Sequence, residues 1–543
     1  MPSSGESVLL PNCDQPIALP GGWTPVAGSV PLTIAGPEEN LRLIFFVAPN
    51  RVDVGELASQ AWLHVDPTFS YPIANQAEMP STEGWDKVCQ IVYNIPAAED
   101  RTVLAIVRIL RDQSYILLVT SSKAALSRRM AQISQILQSW KPSGFTVVSL
   151  ASNQQTAWSD RHRDQLRLFI QDAMEKLHVP GASIAIVQQG RLVYAEGFGV
   201  RQIGHPEPVT STTRFKIGSS TKPLTTLMMA RLIDQGAFTW TTPVRDLLPT
   251  FELGDPEVTR KLEMRHTVCA CTGMPRRDVD FIFKYAGISP EQRLAEMRTM
   301  RPTTGFGETF QYSNLLVAAG GYAAASRFRP NIELRSAYQH AMQDLVFRPL
   351  EMNDSFLTKD QALSNDAAWP HALDFDDRCV PIDFTIEGSL DSVAPAGSAW
   401  STAEDMAKYL LLELNGGKTP NGQRLLSEEN LKSRWSGGIK INDKLGYGLG
   451  LLYGEEKGLH VLSHGGNTLG FTSDMFFLPQ QGLGVVVLTN VRMANAFHGL
   501  LRQRIFELLF AADPKSEEML AASTKFHHSS FESLRSRVKA DYE

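Results

Sequence analysis

A serine hydroxyl is a poor nucleophile until a neighbouring group takes its proton. One stretch of the chain sets up such a pair: Phe215-Lys-Ile-Gly-Ser-Ser-Thr-Lys-Pro223. Ser219 and Lys222 are three residues apart, so on a helix both side chains share one face. A helix start is expected there on separate grounds. Pro223 lacks an N–H and fits only in a first turn. Leu224, Leu227, Met228 and Leu232 then follow at helical spacing, and Gly236 ends the run. A lysine amine held beside the serine can take its proton or lower the pKa of another base. Ser-x-x-Lys alone is not selective, because Ser536 and Lys539 repeat it in the charged C-terminal stretch, where it reads as a surface pair. Two further patterns add weight. Tyr312-Ser-Asn314 is the only Tyr-x-Asn in the chain and His464-Gly465-Gly466 the only His-x-Gly, and they follow the serine in that order.

These residues need a scaffold. Leu166, Phe169, Ile170, Met174 and Leu177 lie on one helical face, ended by Pro180-Gly181. Ser183–Val187 and Leu192–Ala195 read as a hairpin across Gln188-Gln-Gly-Arg191. Asp474–Leu478 and Leu483–Val491 read as two more strands, and Phe497–Phe510 as a closing helix. Strands at both ends of a helix-rich middle imply one sheet completed by both ends of a domain. Ahead of it, Leu41–Val47, Val103–Leu110 and Tyr115–Thr120 read as strands, the last two joined by a polar turn at Arg111–Ser114. A helix opened by Ser121/Ser122 follows, with Leu126, Met130, Ile133, Leu137 and Trp140 as its apolar face. The expected organisation is a small α+β domain over 1–145, a linker over 146–159, an α/β (α+β sandwich) domain over 160–513, and a weakly ordered tail over 514–543.

With these motifs and elements in place, the chain resembles the serine β-lactamase and penicillin-binding-protein superfamily, in its class C-like branch of esterases and peptidases. Supporting stretches are Val179-Pro-Gly-Ala182, Gly197-Phe-Gly-Val200, Pro243–Pro249, Arg265-His266 with Gly273-Met-Pro275, Pro395-Ala-Gly-Ser398 with Ser401-Thr-Ala403, and Gly482–Asn490. The resemblance covers about Asp160 to Asp513. It implies an antiparallel sheet flanked by helices, with a helical subdomain. It implies Ser219 as the acylated nucleophile and Lys222 and Tyr312 as sharers of the general-base work. Asn314 would bind substrate or Lys222. His464 would be a further catalytic residue and Gly465 and Gly466 would bind substrate, this third motif bordering the site on an edge strand, and the backbone N–H groups of Ser219 and Asn467 would form the oxyanion hole. The expected reaction is acyl transfer to Ser219 and hydrolysis of the acyl-enzyme, on an ester, amide or short peptide such as a linearised cyclic peptide. A β-lactamase and a non-catalytic sensor or scaffold on the same fold are the alternatives.

Two departures matter. β-Lactamases carry Lys-Thr/Ser-Gly where this chain has His464-Gly465-Gly466. Histidine, with a pKa near 6.5, gives up the fixed positive charge. Cys269-Ala-Cys271-Thr-Gly273 replaces a usual His-Thr-Ser-Gly, and the thiols suggest no function.

Composition limits the rest. The chain has 543 residues, 43% hydrophobic and 20% charged, with a net charge of -6. That describes a globular protein and argues against binding driven by phosphate neutralisation, so no nucleic acid is expected. No apolar run reaches membrane-spanning length. No secretory signal is visible, and five sparse cysteines are no disulfide framework, so the cytoplasm is expected, with a periplasmic mature form as the alternative. No metal, zinc or cofactor motif is present. The Gly-x-Ser-x-Gly elbow is absent as well, and His162-Arg-Asp164 reads as a solvated helix face. The expected partner is a small-molecule or short-peptide substrate. Oligomeric state is open.

Overall fold

Val/Ile/Leu-rich runs in the first 121 residues form a seven-stranded antiparallel sheet. In this computed structural model, which describes residues 6–50, 53–79, 84–284, 286–364, 366–442 and 444–542, its strands are β1 (Thr24–Pro25), β2 (Leu32–Ala35), β3 (Arg42–Pro49), β4 (Ile73–Met79), β5 (Lys87–Tyr93), β6 (Thr102–Leu110) and β7 (Gln113–Ser121). Their order is β1-β2-β3-β7-β6-β5-β4. β6 and β7 form a tight hairpin across Arg111-Asp112, shorter than the turn expected from the polar run. Helix α1 (Val54–Val65) starts on the Asp53 side chain, which accepts from Gly55 N–H at 2.8 Å. Helix α2 (Lys123–Ser139) starts on Ser122, as expected. Its buried face holds Ile133 and Ile136, with Trp140 beyond its end, whereas Met130 is exposed. The 4-3-4-3 stepping drifts off the stripe that packs on the sheet.

The chain divides into two compact units, residues 1–151 with 514–543, and residues 152–513. In the second, helix α3 (Asp160–Lys176) precedes the hairpin β8 (Gly181–Gln188) and β9 (Arg191–Gly199). Helices α4 (Thr221–Asp234), α5 (Asn314–Phe328) and α6 (Ala403–Leu414) fall in the middle. Strands β10 (Ile439–Lys440), β11 (Leu445–Tyr447), β12 (Leu452–Glu456), β13 (Leu459–Asn467), β14 (Thr472–Leu478) and β15 (Leu483–Thr489) and helix α7 (Asn495–Phe510) close it. The eight strands form one antiparallel sheet, ordered β9-β8-β15-β14-β13-β12-β11-β10. The expected joining of sequence-distant strands is therefore borne out: β8 pairs with β15, from Ala182 opposite Thr489 to Gln188 opposite Leu483. Every residue of β8 and β15 is buried, so both faces of this part of the sheet are covered. α6 packs on β8 and β15, while α7 packs on β14 and α3.

Two expectations change. The stretch carrying His464 is not on an edge strand, because β12, β11 and β10 extend the sheet beyond β13. β12 pairs only with Leu459–Ser463, however, so among the described residues His464–Asn467 has no strand partner on that side. The tail is also not loose: Ser516–Tyr542 forms a helix, α8, which packs on β4. Of the stretch read as a linker, Asn153 and Thr156 bond to the carbonyls of Phe510 and Leu509 at 2.7 and 2.8 Å. Among the described residues no helix is long and apolar enough to cross a membrane.

Candidate active site

Ser219 sits in a single helical turn, Gly218–Ser220, that runs into α4 at Thr221. Two glycines let this turn close on β13. Gly218 has φ +51°, and a Cβ there would lie 3.0 Å from the Asn467 nitrogen. A Cβ on Gly466 would lie 2.8 Å from the Ser219 nitrogen. The Ser220 hydroxyl donates to the His464 carbonyl at 3.1 Å, and Ser473 Oγ to the Ile217 carbonyl at 2.6 Å. The backbone nitrogens of Ser219 and Asn467 are thereby brought to one rim.

Lys222 is fully buried at the start of α4. Its Nζ lies 2.9 Å from Ser219 Oγ, 2.7 Å from Asn314 Oδ1 and 2.6 Å from the Ala396 carbonyl. Burial holds its pKa well below the usual lysine range, and Arg276 lowers it further while Asp278 opposes both. A neutral amine can satisfy the three oxygen partners as fully as an ammonium can. Asn314 Oδ1 and the Ala396 carbonyl can only accept, so they use both N–H bonds of an –NH2 group and leave its lone pair for the Ser219 hydroxyl.

Tyr312 precedes α5, which starts at Asn314. Its ring centre is 4.7 Å from Lys222 Nζ, and its hydroxyl is turned to those of Ser219 and Tyr447. Burial pushes the phenol pKa up, so a tyrosinate is disfavoured. His464 is buried, with Nδ1 2.7 Å from the Gly465 carbonyl and Nε2 3.0 Å from the Tyr447 hydroxyl. A carbonyl only accepts, so Nδ1 carries the proton and Nε2 receives the Tyr447 O–H. Burial and the neighbouring Lys222 push His464 down to about 3. A titration near pH 6.5 was expected of it; the structure instead makes it a fixed neutral group.

The structure thus brings together Ser219, Lys222, Tyr312, Asn314, His464, Gly465, Gly466 and Asn467. Ser536 lies on α8, donating to the Glu532 carbonyl at 2.9 Å in an exposed position. Sequence reasoning missed three participants. Tyr447 follows Leu445-Gly446, and Arg276 and Asp278 follow Gly273-Met-Pro275. Asn314 Nδ2 donates to Asp278 Oδ1 at 2.9 Å, and Arg276 Nε donates to Asp278 Oδ2. Their only sequence signal is position just after a glycine motif.

Cys269 and Cys271, whose thiols suggested no function, are joined as a disulfide, with Cα atoms 5.3 Å apart. They flank Ala270, whose φ of +54° folds the chain back so that the side chains meet. The Ala270 and Cys271 carbonyls accept from Gln311 and Gly307 N–H, each at 2.7 Å, on the segment leading to Tyr312.

Residues 166–510, well over half the chain, match the Beta-lactamase family. Among curated proteins, the unguisins hydrolase ungD' of Aspergillus campestris (strain IBT 28561) is 24% identical over 343 residues, 61% of this chain and 62% of that protein. Protein flp of Staphylococcus aureus (strain MW2) is 24% identical over 344 residues, 61% of this chain and 63% of that protein. The chain thus spans less than two thirds of the length of these curated relatives. Among solved structures, the octameric penicillin-binding protein homologue from Pyrococcus abyssi superposes with a TM-score of 0.54 at 25% identity, covering 65% of this chain and 78% of that one.

Proposed function

The chain belongs to the Beta-lactamase family, and from that premise we propose that it is a serine hydrolase that cleaves an ester, amide or short-peptide bond through an acyl-Ser219 intermediate. The observation that carries the reading is the seat of Lys222 Nζ among Ser219 Oγ, Asn314 Oδ1 and the Ala396 carbonyl. Ser219 Oγ attacks the substrate carbonyl carbon as its proton passes to Lys222 Nζ. The backbone N–H groups of Ser219 and Asn467 hold the resulting oxyanion. Collapse breaks the bond to the leaving group, which takes the proton from Lys222 by way of the Tyr312 hydroxyl. Water then attacks the acyl carbon, returns a proton to Lys222, and releases the acid product as Ser219 regains its hydrogen. His464 acts at one remove: it holds the Tyr447 hydroxyl, which faces that of Tyr312.

The neutral, buried His464 offers no cation to a substrate carboxylate at the third motif, so a β-lactam is the poorer fit. The hydrolase name of one relative supports hydrolysis over ligand sensing, and linear peptides, including a linearised cyclic peptide, enter the first substrate panel with simple esters. The test is intact-mass spectrometry and peptide mapping after a fluorophosphonate probe. Wild type is expected to carry one adduct on Ser219 and the Ser219→Ala variant none. A folded wild-type protein without adduct would favour the sensor or scaffold.

A further inference from the structure

Asn314 has an amide with two different faces. One end accepts and the other donates, and nothing in the amide itself decides which of them faces Lys222. In this chain the decision falls to a carboxylate. Asp278 Oδ1 receives Asn314 Nδ2–H at 2.9 Å, and an ionised carboxylate can only accept. The Asn314 nitrogen therefore points to Asp278 and Oδ1 to Lys222 Nζ, 2.7 Å away. Asp278 is itself held, because Arg276 Nε donates to its other oxygen while the Arg276 side chain stays 63% exposed. Arg276 also lies over the Tyr312 ring, with Cζ 5.4 Å from the ring centre, so the pair sits at the wall of the site.

We propose that Asp278 is a positioning residue of the catalytic group: it locks the Asn314 amide so that both N–H bonds of Lys222 are engaged by acceptors and its lone pair is left for the Ser219 hydroxyl, with Arg276 holding Asp278 in place. This rests on the reading of Ser219 as an acylated nucleophile. With the carboxylate gone, the amide is free to turn over and offer Nδ2–H to Lys222. The lone pair would then be taken by Asn314, and Ser219 would lose its base.

The charges give a second readout. The groups facing Lys222 are Arg276 from the loop after Gly273, Asp278 from the start of the short helix Asp278–Phe283, Tyr312 ahead of α5, and, beyond Tyr312, Tyr447 on β11 and His464 on β13. The tyrosines and His464 stay neutral across the working range, since burial raises the former and lowers the latter to about 3. Among the described residues, Asp278 and Arg276 then set the local field, with opposite signs. Removing the Asp278 charge favours the neutral amine, so the acid limb moves to lower pH. Removing the Arg276 charge does the reverse.

The experiment is the second-order rate of labelling by a fluorophosphonate probe from pH 5 to 10, on wild type, Asp278→Asn, Asp278→Glu and Arg276→Gln, with circular dichroism and melting curves on each. Asp278→Asn is expected to label about ten- to a hundredfold more slowly, with its acid limb below that of wild type. Asp278→Glu restores part of the rate, and Arg276→Gln moves the limb upward. Identical limbs in wild type, Asp278→Asn and Arg276→Gln would overturn the proposal while leaving the acyl-enzyme reading intact, since wild type still labels. Absence of wild-type labelling would overturn both. Should Asp278→Asn fail to fold, the exposed Arg276→Gln variant decides alone: an upward limb supports the proposal, and an unmoved one overturns it.

Discussion

His464 stands where a related sequence would carry a lysine, and the substitution changes what the residue can do. An unfolded histidine titrates near pH 6.5, but in the fold its imidazole is held neutral down to about 3. The unfolded chain therefore binds a proton in a window where the folded chain does not. Stability must fall as pH drops from about 6.5 toward 3, at up to about 1.4 kcal/mol per pH unit for one such group. His498, pushed to about 4, adds to the same slope. A His464→Gln variant cannot take up that proton and should show a flatter decline of melting temperature between pH 7 and 4 than wild type. Parallel curves would mean that His464 is not held neutral in the fold. The residues proposed to do chemistry could be picked out in the sequence, because Ser-x-x-Lys at a proline-marked helix start and a unique Tyr-x-Asn are local patterns. Tyr447 and Asp278 were not. Each is one tyrosine or one aspartate in a short strand or at the start of a short helix, and only the fold gives it a neighbour.

Helices and strands fix how firmly α4 presents Lys222. The turn after Lys222 is clamped by Arg434, whose Nη2 donates to the Pro223 carbonyl at 2.8 Å and whose Nε donates to Thr226 Oγ1 at 3.1 Å. Arg434 is fully buried and pairs with Glu413 of α6, equally buried, at 2.6 Å. Such a pair adds little net stability over an apolar equivalent, but losing one partner strands the other charge out of water. Arg434→Met should therefore cost about 3–5 kcal/mol, read as a fall of several degrees in the melting temperature. Glu413→Gln in the same background should recover part of it. A loss below about 1 kcal/mol would show that water reaches Glu413. At this scale the long elements were legible from their periodicity: α3, the β8–β9 hairpin, β14, β15 and α7. β10, β11 and β12 were not, at two, three and five residues, too short for alternation to register. The edge-strand placement of the third motif came from the family resemblance, and these three short strands are what overturns it.

The whole molecule returns its last thirty residues to its first domain. The 514–543 segment groups with residues 1–151 although the entire second unit intervenes. Charged residues and His527-His528 suggested a free tail, since few of its side chains are apolar enough to betray a buried stripe. Leu520 is nevertheless fully buried, and α8 lies against β4, the last strand of the seven-stranded sheet. An edge strand left bare offers unpaired N–H and C=O groups to any other chain, and a covering helix is one way to block that pairing. Ending the chain at Asp513 should therefore harm the N-terminal unit and spare the chemistry. The truncated protein is expected to lose soluble yield and to move toward high-mass species in size-exclusion chromatography. Ser219 in the remaining soluble fraction should still label with the fluorophosphonate at the full-length rate. If the truncated chain elutes and melts as the full chain does, α8 does not protect β4. If labelling falls in step with solubility, the second unit depends on the segment as well, and the two units do not stand as independently as their separate cores imply.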